Sequence, residues 1–138
     1  MPETANYVRR QAARITPAVL DTLLPKLPLL KMEFTQITAP GFPHLFEQLE
    51  FLADLVEDFA EGADREIPFI TIAEAVFALL FVHKHWDLIP GQKESQAVHL
   101  PHADDSSVVR TVLLTHHDAL AAYAARHDVV WTGATLNP

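Results

Sequence analysis

The sequence predicts an all-α protein, a single-domain bundle of four to five helices with the segment 68–86 at its centre. Three observations carry this. Apolar residues recur at spacings of three and four over residues 43–61 and 104–126, the run from Ile67 to Val82 is apolar almost all round, and no stretch alternates as a half-buried strand would. With 138 residues, 49% hydrophobic and 20% charged, the chain can bury one core. It has no cysteine, so disulfides, thiolate metal ligands and thiol nucleophiles are excluded.

Residues 6–15 read as a short helix resting on Tyr7, Val8 and Ile15. Thr16-Pro17 then pairs a cap with a proline at the first helical position, where its missing N–H is harmless. Pro25 and Pro28 each remove a donor, which predicts a break between Leu24 and Leu29. A short apolar piece, Leu29 to Phe34, and a loop with Pro40, Gly41 and Pro43 follow. The clearest helix is 43–61, where Leu45, Leu49, Leu52, Val56 and Phe59 form a stripe widened by Phe46 and Leu55. Glu47, Glu50, Asp54, Glu57, Asp58 and Glu61 occupy its other side, and Gly62 is placed to end it in the left-handed conformation. Pro68 opens the central helix, expected to run to about His85 or Trp86, with a loop over 87–103. Asp104 or Asp105 caps a last helix through about Arg126, with Val108, Val112, Thr115, Ala119 and Tyr123 on one stripe beside Leu113 and Leu120. Trp131 is expected to pack the tail back onto the body.

The net charge is −8 and uneven: residues 1–33 sum to +2, residues 43–66 to −7. An acidic body argues against nucleic acid, whose affinity comes from neutralising phosphates. The absence of cysteine and of a basic region followed by an apolar run at the N-terminus is read as cytoplasmic. The longest apolar stretch has 16 residues and contains Glu74, short of the roughly 20 that a spanning helix needs. Arg9, Arg10 and Arg14, together with the apolar Leu23–Leu30 segment, leave attachment to an anionic membrane surface open.

The acidic residues at the ends of the last two helices draw attention. Asp87, in Trp86-Asp87-Leu88-Ile89-Pro90, follows an apolar helix whose last turn disfavours negative charge. Asp104 and Asp105 stand at the start of the next helix, which favours it. Helix-end hydrogen bonding accounts for all three. If the two helices pack antiparallel, however, Asp87, Asp104 and Asp105 converge at one end of the bundle, and their repulsion invites a cation. Oxygen ligation would favour Mg²⁺, Mn²⁺ or Ca²⁺. A mixed site drawing on His85 or His102 requires the loop to fold back. The eight histidines otherwise read as scattered over the surface, for no HExxH pair exists.

The same residues carry a resemblance. The apolar helix 73–82, then His85-Trp86-Asp87-Leu88-Ile89-Pro90-Gly91, then Ala103-Asp104-Asp105-Ser106-Ser107-Val108-Val109 resemble the YkvA-like family. That family shows Pro-x-Asp-Leu-Ile-Pro-Asp and, after a short loop, Gly-x-x-Asp-Asp. Here His85 stands at the first proline and Gly91 at the second acidic residue. The resemblance covers about residues 49–131 within a core of 43–131 and leaves residues 1–42 outside. It implies a small α-helical domain, sometimes found in membrane-associated proteins, and no known reaction.

The four glycines form no phosphate loop or dinucleotide fingerprint, and Ser95, Ser106 and Ser107 lack a nucleophile-elbow context. The sequence therefore points to a non-enzymatic binding or scaffold module with a protein partner or a second copy of itself. The alternatives are a divalent-metal site or metal-dependent enzyme at the acidic residues, and a peripheral membrane protein.

Overall fold

Spacing of apolar side chains at three and four residues commits the middle of the chain to helices, and the helices settle around the one that is apolar on every side. The computed structural model describes residues 2–34, 45–83 and 105–129, and among them there is no strand. The helices are α1 (Pro2–Ala12), α2 (Pro17–Leu23), α3 (Leu27–Phe34), α4 (Leu45–Ala60), α5 (Phe69–His83), α6 (Asp105–Thr115) and α7 (His117–Arg126). The all-α expectation holds, with more helical pieces than the four or five foreseen. None of the described helices is long and apolar enough to cross a membrane.

α5 is the centre. Every residue from Thr71 to Val82 is buried, and α1, α4 and α6 all pack against it. α4 supplies Leu49, Phe51, Leu52, Leu55 and Val56, and α6 supplies Val108, Val109, Val112 and Leu113, all buried. Burying a large aliphatic or aromatic side chain is worth about 1.5–3 kcal/mol, so these faces dominate the stability. Tyr7 of α1 meets Phe77 and Phe81 edge-on, at ring-centre distances of 5.8 and 6.3 Å.

The extra pieces have local causes. The α-helix from Pro17 is interrupted beside Pro25 and Pro28, as expected, but mildly: α2 ends at Leu23, residues 24–26 tighten into a 3-10 turn, and Leu23, Leu24 and Leu27 all keep right-handed helical dihedrals. Pro28 falls in the first turn of α3, where its N–H is not needed. Leu23, Leu27 and Leu30 are buried, which leaves Leu29 as the half-exposed leucine of the segment considered for a membrane surface. The last helix is interrupted at His116 (φ −110°, ψ 23°), which ends α6 and opens α7. That interruption shifts the stripe: Val108, Val112, Leu120 and Tyr123 are buried, but Thr115 is exposed. Thr16 caps α2 as expected, its hydroxyl accepting the Val19 N–H at 3.3 Å.

α4 ends in a Schellman motif. The Ala63 N–H donates to Asp58 O at 2.8 Å, the Gly62 N–H to Phe59 O at 3.1 Å, and Gly62 adopts φ +85°. A Cβ at Gly62 would meet only the Arg65 side chain, at 3.7 Å, so space is not the constraint. Gly62→Ala should lower stability by about 1 kcal/mol through backbone strain alone, read as a shift of the urea midpoint at unchanged slope.

Candidate functional site

A charged residue inside an apolar helix must be paired or neutralised. Glu74 is that residue in α5, its side chain 2% exposed. Its partner is His116, from the α6–α7 junction, with Nε2 3.1 Å from Glu74 Oε1. The other ring nitrogen, Nδ1, is hydrogen-bonded to Thr71 Oγ1 at 2.9 Å. The hydroxyl donates when Nδ1 is bare and accepts when Nδ1 carries the proton. Thr71 and Glu74 are three residues apart and so share one face of α5, which lets a single imidazole reach both. The Nε2–Oε1 contact is close but not aligned as a hydrogen bond, and Glu74 Oε2 is buried without a hydrogen-bond partner. Arg9 of α1 approaches Oε2 only to 4.0 Å.

Beside this cluster lies a surface cleft of about 330 Å³. Pro68, Ile70 and Thr71 form one wall, and residues 114–119 form the other. Ile70 and Leu114 are 44% and 47% exposed within it. His117 and Asp118, whose Nδ1 and Oδ1 are 3.2 Å apart, supply the polar rim. Thr71 and His116 border the cleft but turn their polar atoms on each other.

A second buried acid closes the bottom of α7 onto the α4–α5 connection. Asp64 Oδ2 accepts from Arg126 Nε (2.9 Å) and Nη2 (2.8 Å) and is paired with His127 Nε2 at 2.8 Å, while Oδ1 accepts the Glu66 N–H at 3.0 Å. Burial alone would raise the Asp64 pKa, but the His127, Arg126 and Glu66 hydrogen bonds and the Arg126 charge more than offset it and hold it below the ordinary carboxylate range. One turn away, Tyr123 donates its phenol to Asp58 at 2.5 Å. Burial, then the Asp58 hydrogen bond and nearby carboxylates, push that phenol far up.

Of the residues singled out in the sequence, Asp87, Asp104, His85 and His102 lie outside the described residues, and Asp105 opens α6. The antiparallel arrangement on which their convergence depends is present between α5 and α6. The start of α5, at Thr71 and Glu74, meets the end of α6, at His116. Counting back from His116 to Asp105 gives about 16 Å of helix, and forward from Glu74 to His83 about 14 Å, so the two helices run similar lengths from that shared contact. Among the described residues, no three histidine or carboxylate side chains gather closely enough to hold a metal ion.

The histidines are not all on the surface: the His116 side chain is 9% exposed. Sequence reasoning missed the Glu74–His116 and Asp64–Arg126 pairs. Glu74 carried a signal, as the one charge in a helix that must be covered on every side, but nothing local to it names a partner 42 positions away.

Because the folded Asp64 pKa lies below its unfolded value, its contribution is in place above the ordinary value of 3.8 and is lost as pH falls through the folded value. Asp64→Asn should cost about 2 kcal/mol near neutrality, less than a fully enclosed pair because Arg126 stays 32% exposed. The gap between wild type and variant should narrow below that pH in urea melts across the acid range.

No protein-family model, curated protein or solved structure matches this chain.

Proposed function

We propose that the chain is a small helical binding or scaffold module without a reaction of its own, and that it engages its partner through the cleft between the start of α5 and the α6–α7 junction. The observation that carries this is the pairing of Ile70 and Leu114, two half-exposed aliphatic side chains in one concave, polar-rimmed patch. Such a patch is the composition of a contact surface: apolar at its centre and polar at its edge. The polar groups behind it support the same reading. Thr71, His116 and Glu74 are engaged with one another and tie three helices, which gives the cleft a rigid wall. The YkvA-like resemblance is kept as part of this proposal, since it too implies a small helical domain and no reaction.

The test is a pair of charge insertions at the cleft, Ile70→Glu and Leu114→Glu. Both positions face solvent, so the melting temperature should stay within a degree or two of wild type. Association, whether self-association in a sedimentation dilution series or with a purified stoichiometric partner, should weaken at least about tenfold, as loss of a central apolar anchor does. Unchanged association in both variants would remove the cleft as the contact surface.

A second reading is divalent-cation binding at the opposite end of α5. It is supported by the contact between the start of α5 and the end of α6, which fits an antiparallel pair, and by the similar lengths of the two helices beyond that contact. Elemental analysis of the purified protein should then find a stoichiometric divalent ion, with Mg²⁺, Mn²⁺ or Ca²⁺ raising the melting temperature. Asp87→Asn and Asp105→Asn should each abolish that rise. No bound ion and no shift with any of the three would eliminate this reading.

A further inference from the structure

The seam between α1 and the bundle combines an apolar fastening with buried polar atoms. Among the residues of α1 whose burial is described, Tyr7, Val8 and Ala12 are buried. The seam also holds polar atoms that the fold leaves unsatisfied. Gln11 Oε1 is buried with no hydrogen-bond partner among the described residues, and so is Glu74 Oε2 of α5. Arg9, the base of α1 nearest that carboxylate, stops at 4.0 Å with its side chain 68% exposed, beyond hydrogen-bonding distance. A desolvated polar atom without a partner keeps a cost that water would cancel, so lifting α1 relieves both atoms. By contrast, the seam between α7 and the α4–α5 connection is closed by short hydrogen bonds on both Asp64 and Asp58.

The chain around α1 is arranged for independent movement. α2 does not need α1 for its start, because Thr16 caps it with its own hydroxyl. Ala13 and Arg14 form a turn between the two helices, and buried Ile15 pins the chain just after it. With 11 residues, α1 is also below the roughly 12–15 that an isolated helix needs to persist in water. Its helical state therefore depends on docking, and docking and folding of this segment come as one event.

We propose that α1 is a releasable strap. Residues 2–12 leave the face of α5 and α6 as one unit, hinged at residues 13–16, while α2 to α7 stay folded. Release uncovers Phe77 and Phe81, on which Tyr7 sits, together with the carboxylate of Glu74. In the closed state the occupant of that groove is α1 itself, with Arg9 as the base held over the carboxylate. Release makes α1 the segment through which access to the central helix is controlled.

The test is hydrogen exchange read by mass spectrometry on the full chain across a series of sub-denaturing urea concentrations. Amides of α1 should exchange at least about tenfold faster than those of α5, and their rates should depend only weakly on urea, since opening a strap exposes little surface. Asp64→Asn, which loosens the bundle away from α1, should speed exchange in α5 and leave α1 unchanged. Exchange of α1 at the rate and steep urea dependence of α5, with both shifting together in Asp64→Asn, would overturn the proposal. If that variant does not fold, the wild-type urea series decides by itself.

Discussion

The complete burial of α5 governs the rest of the structure. A helix covered on every side cannot be amphipathic, so its neighbours must each bring an apolar stripe, and α1, α4 and α6 do so with Tyr7 and Val8, with Leu49, Leu52 and Val56, and with Val108 and Val112. The same burial makes any polar group on α5 a constraint on the partner facing it. Glu74 and Thr71 are two such groups, and between them they fix where the chain must place a donor or an acceptor. His116 meets both requirements with one ring, and it stands where α6 stops and α7 begins. The interruption of the last helix is thus matched to the one polar patch on the central helix. The cleft beside it follows from the same geometry, because two helix starts and a one-residue junction cannot close over Ile70 and Leu114 as continuous helices would.

Two ways of handling a buried carboxylate coexist in this small fold, and they differ in quality. Asp64 receives donors on both oxygens, including a two-nitrogen contact from Arg126, and its ionised form is favoured despite burial. Glu74 receives a close but misaligned imidazole on one oxygen and nothing within hydrogen-bonding distance on the other. The first arrangement is a fastener, for removing either partner leaves a charge stranded. The second is a tolerated cost, a buried oxygen kept from water without a hydrogen bond.

How far the sequence disclosed this depends on the range of the interaction concerned. Helix α4 was legible almost in full, because its stripe, its acidic face and Gly62 are all local signals, and Leu49, Leu52, Leu55 and Val56 are buried as the spacing requires. The central position of α5 was legible for the same reason. Pro25 and Pro28 marked the interruption between α2 and α3, but not its form, since one turn of 3-10 geometry and a first-turn position accommodate both. The joint at His116 was invisible because the apolar pattern continues through it, and the groups that His116 meets, Thr71 and Glu74, stand more than forty positions away. For the candidate site the limit is sharper. Asp105 was correctly placed at the start of a helix, but His116 and Asp64 could be named only once the tertiary partners were known.

The strap and the cleft bear on each other through a single residue pair. Glu74 faces α1 on one side and His116 on the other, and His116 forms part of the cleft wall. When α1 is docked, the carboxylate is buried and the imidazole lies 3.1 Å from it. When α1 lifts, water can solvate Oε2, the demand on His116 falls, and the wall of the cleft loses one of its two anchors while keeping the Thr71 hydrogen bond. Coupling of this kind needs no wire of residues across the protein, because the two surfaces share one carboxylate as a common neighbour.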